Sequence, residues 1–229
     1  MYNNLQRYDE SLDDFYSNKK ILITAGPTVE PIDDVRFISN HSTGKMGYAL
    51  AEKAAGLGAD VTLISGPVHI SPPENVRIIN VQSAKDMYQA VSEFFTECDI
   101  AIMTAAVADF TPQVKVSGKI KKDTVDDSMT IQLMRTKDIL AELPAVKSNQ
   151  QKVIGFALEI ENEIENGLEK LHKKKCDMIV VNSASKPNSG FGGNMNTITI
   201  ITATGKQQAF PPMPKTECAA EILKMVAEL

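Results

Sequence analysis

The chain has 229 residues, 43% of them apolar, enough for one sizeable domain with an appended flap. Its 24 Lys and Arg against 29 Asp and Glu leave a formal net charge of −5, which argues against a general nucleic-acid footprint. Scattered cysteines at Cys98, Cys176 and Cys218 fit reduced thiols in a cytoplasmic protein, the three histidines make a zinc site improbable, and no run reaches the ~20 apolar residues that span a bilayer.

Residues 1–17 are polar and acidic and read as an N-terminal tail, in part surface helix, before a domain over 18–229. "KILITAG" (20–26) is a short apolar strand closed by glycine. Over 44–57, Met46, Ala49, Leu50, Ala54 and Leu57 recur at helical spacing until Gly58 stops the helix. "ADVTLISGP" (59–67) is a β-branched strand, so the first 45 residues of the domain form a βαβ unit with buried parallel strands. A strand over 76–81 follows, then a helix opened by the box-like pair Ser83 and Asp86 and ending near Cys98, then a strand over 99–110. Residues 110–136 break the rhythm and predict a flap leaving the sheet, followed by a helix from about Lys137 to Lys147. Strands over 152–159 and 176–182 flank a helix near 162–175, acidic first and basic last as the helix dipole favours. A late strand with a turn (196–206) and a helix from Thr216 complete a single α/β domain with a mainly parallel sheet.

The glycine-rich segment "FISNHSTGKMGYALAEKAAG" (37–56) fits neither common phosphate motif. A P-loop needs glycine at 39 and a hydroxyl at 46, where Ser39 and Met46 stand. A dinucleotide fingerprint needs more than Gly26 after the first strand and an acidic residue closing the next, where Ser65 stands. Gly26 can still leave room for a ligand at the strand end, and Gly44 and Gly47 can let backbone approach an anion at the helix start, or all three simply allow tight helix–sheet packing. Ala105 and Ala106 leave floor space for a base or ribose, and Asp109 can accept hydrogen bonds or help to hold a metal. Lys119, Lys121 and Lys122 cluster on the flap, either solvated or closing over phosphate. Lys170 and Lys174, four apart, share a helix face and suit solubility or anion binding equally. Asn40 is an N-cap or a ligand-handling amide, and Phe156 a core aromatic or a stacking platform.

The pieces "ITAGPTVEPIDDVRFISNHSTGKMG", "TLISGPV", "AAVADF", "GKIKK", "TKDIL" and "GFALE", in this order, closely resemble phosphopantothenoylcysteine synthetase over roughly residues 18–227. The resemblance is to the free-standing form of that enzyme. It implies a modified Rossmann-like three-layer fold with a protruding flap, usually a homodimer, in coenzyme A biosynthesis. The implied reaction joins 4′-phosphopantothenate to L-cysteine, with CTP and Mg²⁺, through an acyl-cytidylate that releases pyrophosphate and then CMP. It further implies that Asn40 handles the acyl intermediate, with Arg36 near it, and that Lys119 is the catalytic, triphosphate-contacting lysine. Nucleotide contacts are expected through Gly26, Gly44, Ala105, Ala106, Asp109, Lys119, Lys122, Lys137, Asp138, Ile139, Leu140, Phe156, Lys170 and Lys174; the metal ligands stay open. The chain departs from the pattern at Val29, where arginine is frequent, at Ser183, where aspartate is common, and within "GFALEI". The rival readings are an NAD(P)-dependent oxidoreductase and a non-catalytic nucleotide-binding module.

Overall fold

A computed structural model of the chain describes residues 11–121, 128–184 and 192–229. Eight strands form one sheet: β1 (Lys20–Ala25), β2 (Asp60–Ser65), β3 (Val76–Asn80), β4 (Ile100–Met103), β5 (Lys152–Glu159), β6 (Met178–Ser183), β7 (Ile198–Thr202) and β8 (Gln207–Ala209). Their order across the sheet is β8-β7-β6-β5-β4-β1-β2-β3. The six strands from β3 to β6 run parallel, and β7 and β8 return antiparallel at one edge. The helices are α1 (11–16), α2 (Lys45–Gly56), α3 (Ala84–Phe95), α4 (Ile139–Glu142), α5 (Glu163–Lys173) and α6 (Lys215–Ala227).

The near-continuous apolar strands are explained by burial on both faces. Ile21 and Ile23 of β1 join a core with α1, α2 and α6, whereas Leu22 between them joins a core with α3, α4 and α5. This is the expected three-layer, Rossmann-like arrangement. Strand order reverses direction at β1, which has β2 on one side and β4 on the other. Ligands of open α/β sheets bind beyond the strand ends at such a switch point. Three two-stranded ladders decorate the sheet: Val29–Pro31 with Phe37–Ser39, Phe110–Pro112 with Leu133–Arg135, and Met195–Asn196 with Met213–Pro214. The second roots the flap, whose ends leave and rejoin the body side by side.

Several boundaries differ from expectation. The described part of the tail packs into the core and is not a surface helix: residues 11–16 are helical, Leu12 and Tyr16 are buried, and the Tyr16 hydroxyl donates to Leu223 O at 2.6 Å, docking α1 on α6. The strand expected to reach residue 110 stops at Met103, because the backbone beyond it pairs with residues 26–28 instead. The helix expected over 137–147 is one turn of α4 plus a 3₁₀ turn, Leu143–Ala145, since Pro144 has no N–H to continue it. The Ser83–Asp86 capping box is present, each side chain accepting from the other residue's backbone N–H.

Candidate active site

A cleft of about 660 Å³ opens beyond the carboxyl ends of β4 and β5. Its floor is Met103, Ala105 and Ala106 from β4 and the loop after it, with Phe156, Ala157 and Leu158 from β5. Asp109, Lys137, Asp138, Ile139 and Leu140 form one wall, and Lys170 and Lys174 the other. A smaller cavity of about 180 Å³ shares that floor and extends to Ser42–Gly47, Asn182, Asn196 and Lys215. A larger cleft, about 830 Å³, lies outside α2 against residues 70–75. No central strand of the sheet ends there, so the site is assigned to the pair at the switch point.

The amino end of α2 supplies the smaller cavity. Its N-cap is Gly44, with φ +78°, which disfavours any side chain, and no side chain caps its free N–H groups. A Cβ on Gly47 would lie 2.6 Å from both Ala25 Cβ and Thr104 Oγ1, so only glycine lets the helix start rest on β1 and β4. Helix N–H groups and the dipole then face the cavity, a favourable setting for an anion. Two lysines absent from the sequence expectations reinforce this. Lys45 Nζ donates to Gly192 O (3.0 Å) and Asn194 Oδ1 (2.7 Å); Lys215 Nζ donates to Gly193 O (2.5 Å). Burial first, and then the Lys45 charge, lower the Lys215 pKa. Asn182 and Asn196 line the same cavity, and their Oδ1 atoms are buried without a protein partner.

The charges of the 660 Å³ cleft are mostly paired. Lys170 bonds Glu159 Oε1 at 2.5 Å, and Lys174 bonds Asp138. Asp138 also caps α4, accepting from Ala141 N–H at 3.0 Å. Lys137 Nζ lies 4.1 Å from the centre of the Tyr88 ring, and its pKa is raised, chiefly by the hydrogen bond to Tyr88. An anionic ligand would meet a ring of lysines already oriented by carboxylates and by an aromatic face. Ser183, where the family pattern has aspartate, donates its hydroxyl to Glu163, and Val29 is buried in the 29–39 hairpin.

Ala105, Ala106, Asp109, Lys137 to Leu140, Phe156, Lys170 and Lys174, drawn from remote segments, meet on this one cleft. Gly44 lines the smaller cavity. Gly26 supports the floor instead of lining it: its carbonyl accepts from Ala106 N at 2.9 Å, so that backbone group is already used. Asn40 is not an N-cap, since α2 begins five residues later; it lines neither cavity itself, and its Nδ2 donates to Ala106 O at 2.9 Å, on the floor shared by both. Arg36 and Lys119 line neither cavity; the loops carrying them are tied to one another, Arg36 Nη2 donating to Ile120 O at 2.9 Å. Lys122 lies outside the described residues. Asn182, Asn196, Lys45 and Lys215 were missed. Lys45 sits inside the glycine-rich segment and was within reach of the sequence, whereas Lys215 gives no local signal.

Fold and cleft define a Rossmann-like α/β domain with a strand-end site rich in lysine and backbone N–H groups. Residues 16–229 match the model of the DNA/pantothenate metabolism flavoprotein C-terminal domain, and the chain belongs to that family. It is 47% identical over 212 residues to the coenzyme A biosynthesis bifunctional protein CoaBC of Bacillus subtilis (strain 168), covering 92% of this chain and 52% of that protein. It is 48% identical over 214 residues to a cysteine/cysteine sulfinic acid decarboxylase of an unknown prokaryotic organism, covering 93% and 59%. The crystal structure of a CoaBC C-terminal domain superposes with a TM-score of 0.79 at 42% identity, over 93% of this chain and 95% of that one. The chain spans about half the length of the curated relatives it matches. The resemblance to the phosphopantothenoylcysteine synthetase domain is borne out.

Proposed function

We propose that the chain is a phosphopantothenate–cysteine ligase that uses CTP, forms an acyl-cytidylate, and acts in coenzyme A biosynthesis. The observation that carries this reading is the cleft on which most of the expected nucleotide contacts converge from β4, α4, β5 and α5. Its floor of small and apolar residues, with Phe156 half-buried, suits a flat base, and its lysines suit phosphate.

In this mechanism the carboxylate of 4′-phosphopantothenate attacks the α-phosphorus and pyrophosphate leaves. The cysteine amine then attacks the acyl carbon, and CMP leaves with one former carboxylate oxygen. Negative charge grows on the α-phosphoryl oxygens and the leaving group, so fixed cations and N–H donors there stabilise the transition state above the ground state. The α2 amino end, Lys45, Lys170 and Lys174 are the fixed groups; Lys119 is delivered by the flap, which also keeps water from the mixed anhydride. Asn40, held on Ala106 O, is poised at the acyl group.

Mg²⁺ fits the donor set in the manner usual for nucleotide enzymes. Among the described residues no group of three or more His, Cys, Asp or Glu gathers to cage a metal. Magnesium on a triphosphate needs only one or two carboxylates, and Asp109 on the cleft wall would supply one. Bound there, the ion would neutralise phosphate charge.

The cysteines take no part: burial pushes the Cys98 and Cys176 thiols up to about 12 and Cys218 up to about 11. A cytoplasmic setting suits these three unpaired thiols, and no helix among the described residues is long and apolar enough to cross a membrane. The protein acts as a homodimer: Val35, Phe37, Val114, Val116, Leu133 and Met134 expose apolar side chains on two adjoining hairpins, a face suited to a second copy.

Pyrophosphate release measured with CTP, ATP, GTP and UTP tests the reading. Release with CTP that requires phosphopantothenate, and CMP that requires cysteine as well, is the expected result. No release with any nucleotide would refute it.

A further inference from the structure

We propose that Asp33 is a positioning residue for the reaction, a latch that holds the 118–120 stretch of the flap and thereby presents Lys119. This rests on the ligase reading for its effect on turnover, but the latch itself is a feature of the fold. The Asp33 side chain is fully buried, and each of its oxygens is satisfied. Oδ1 accepts from the Val35 N–H at 2.8 Å and the Arg36 N–H at 2.6 Å. Oδ2 accepts from Arg36 Nε at 3.0 Å, Arg36 Nη2 at 2.5 Å and, across the fold, the Ile120 N–H at 3.1 Å. Arg36 Nη2 also donates to Ile120 O at 2.9 Å. A buried carboxylate tolerates removal from water only when its lone pairs are filled in this way, and the Arg36 guanidinium holds its pKa well below the usual carboxylate range.

Asp34 adds a second fastening. Its Oδ2 accepts from the Gly118 N–H at 2.7 Å, its own N–H donates to Gly118 O at 3.2 Å, and Lys115 pairs with Oδ1 at 3.1 Å. Lys119 therefore stands between two anchored residues, Gly118 and Ile120, while its side chain remains exposed. Gly118 has φ +78°, a conformation that a side chain would strain. The same carboxylate orients Arg36, on the segment that leads through the 37–39 strand to Asn40. One buried charge thus sets two loops that the sequence separates by more than 80 residues.

Amide hydrogen exchange and a double-mutant cycle test this. In the wild-type protein the Gly118 and Ile120 amides should be protected, and Asp33→Asn should speed exchange at Ile120 by about tenfold or more. Asp33→Asn should also lower kcat for pyrophosphate release by up to about 10²-fold, with KM for CTP little changed. In a Lys119→Gln background the same substitution should cost almost nothing, because a latch has nothing left to present. If Asp33→Asn does not fold, Asp34→Ala, at an exposed position, carries the same cycle through the Gly118 amide. Unprotected Ile120 in the wild type, or a kcat loss undiminished in the Lys119→Gln background, would overturn the proposal. Protection that is lost in a protein showing no ligase turnover would uphold the latch and refute the function instead.

Discussion

Asn40 shows how one amide can be misread from its position and recovered from its partner. Its place just before a helix fits a cap, yet the cap is Gly44, and Asn40 reaches across to Ala106 O. Replacing it with Asp removes that donor and, in the proposed reaction, sets a negative charge beside an anionic intermediate. Asn40→Asp should therefore lower steady-state kcat by about 10²-fold, while the first turnover still gives a pyrophosphate burst. Quenched-flow measurement checks this; an unchanged steady state would remove Asn40 from acyl transfer. Two of the residues the sequence did not reveal share one cause. Lys215 and Asn196 enter the site only because α6 and the 195–196 strand fold against the start of α2. No periodicity within either segment could announce that.

At the scale of elements, legibility followed how local the determining forces are. The strand over 152–159 matched its apolar run residue for residue, and the α3 capping box is written in four consecutive residues. That residues 11–16 pack into the core, and are not a surface helix, was unreadable for the opposite reason: Tyr16 finds its acceptor 207 positions away, on α6. The apolar side of α1 is buried, with Leu12 and Tyr16 in the core beside α6. Tyr16→Ala should destabilise the fold by about 3–5 kcal/mol, since it deletes a fully buried aromatic ring. Equilibrium urea unfolding reads this directly; a loss below about 1 kcal/mol would return the segment to the status of a tail. The same logic explains why the flap's departure was visible, as a break in the strand–helix rhythm, while its attachment through Asp33 was not.

The whole molecule places a lysine-lined cleft on a chain of net charge −5, by gathering a few cations and N–H groups locally. It also leaves apolar residues on two hairpins beside the flap root. Phe37→Asp, at a residue 58% exposed, should leave the fold intact and weaken self-association by about tenfold or more, as sedimentation equilibrium would show. A monomeric wild type would exclude the second copy from that face. The central claim is that the carboxylate is activated on the α-phosphorus of CTP. Phosphopantothenate labelled with ¹⁸O in both carboxylate oxygens decides it: one labelled oxygen should appear in the CMP released on amide formation. Unlabelled CMP, or label found in inorganic phosphate alongside CDP, would contradict an acyl-cytidylate and the account built on it.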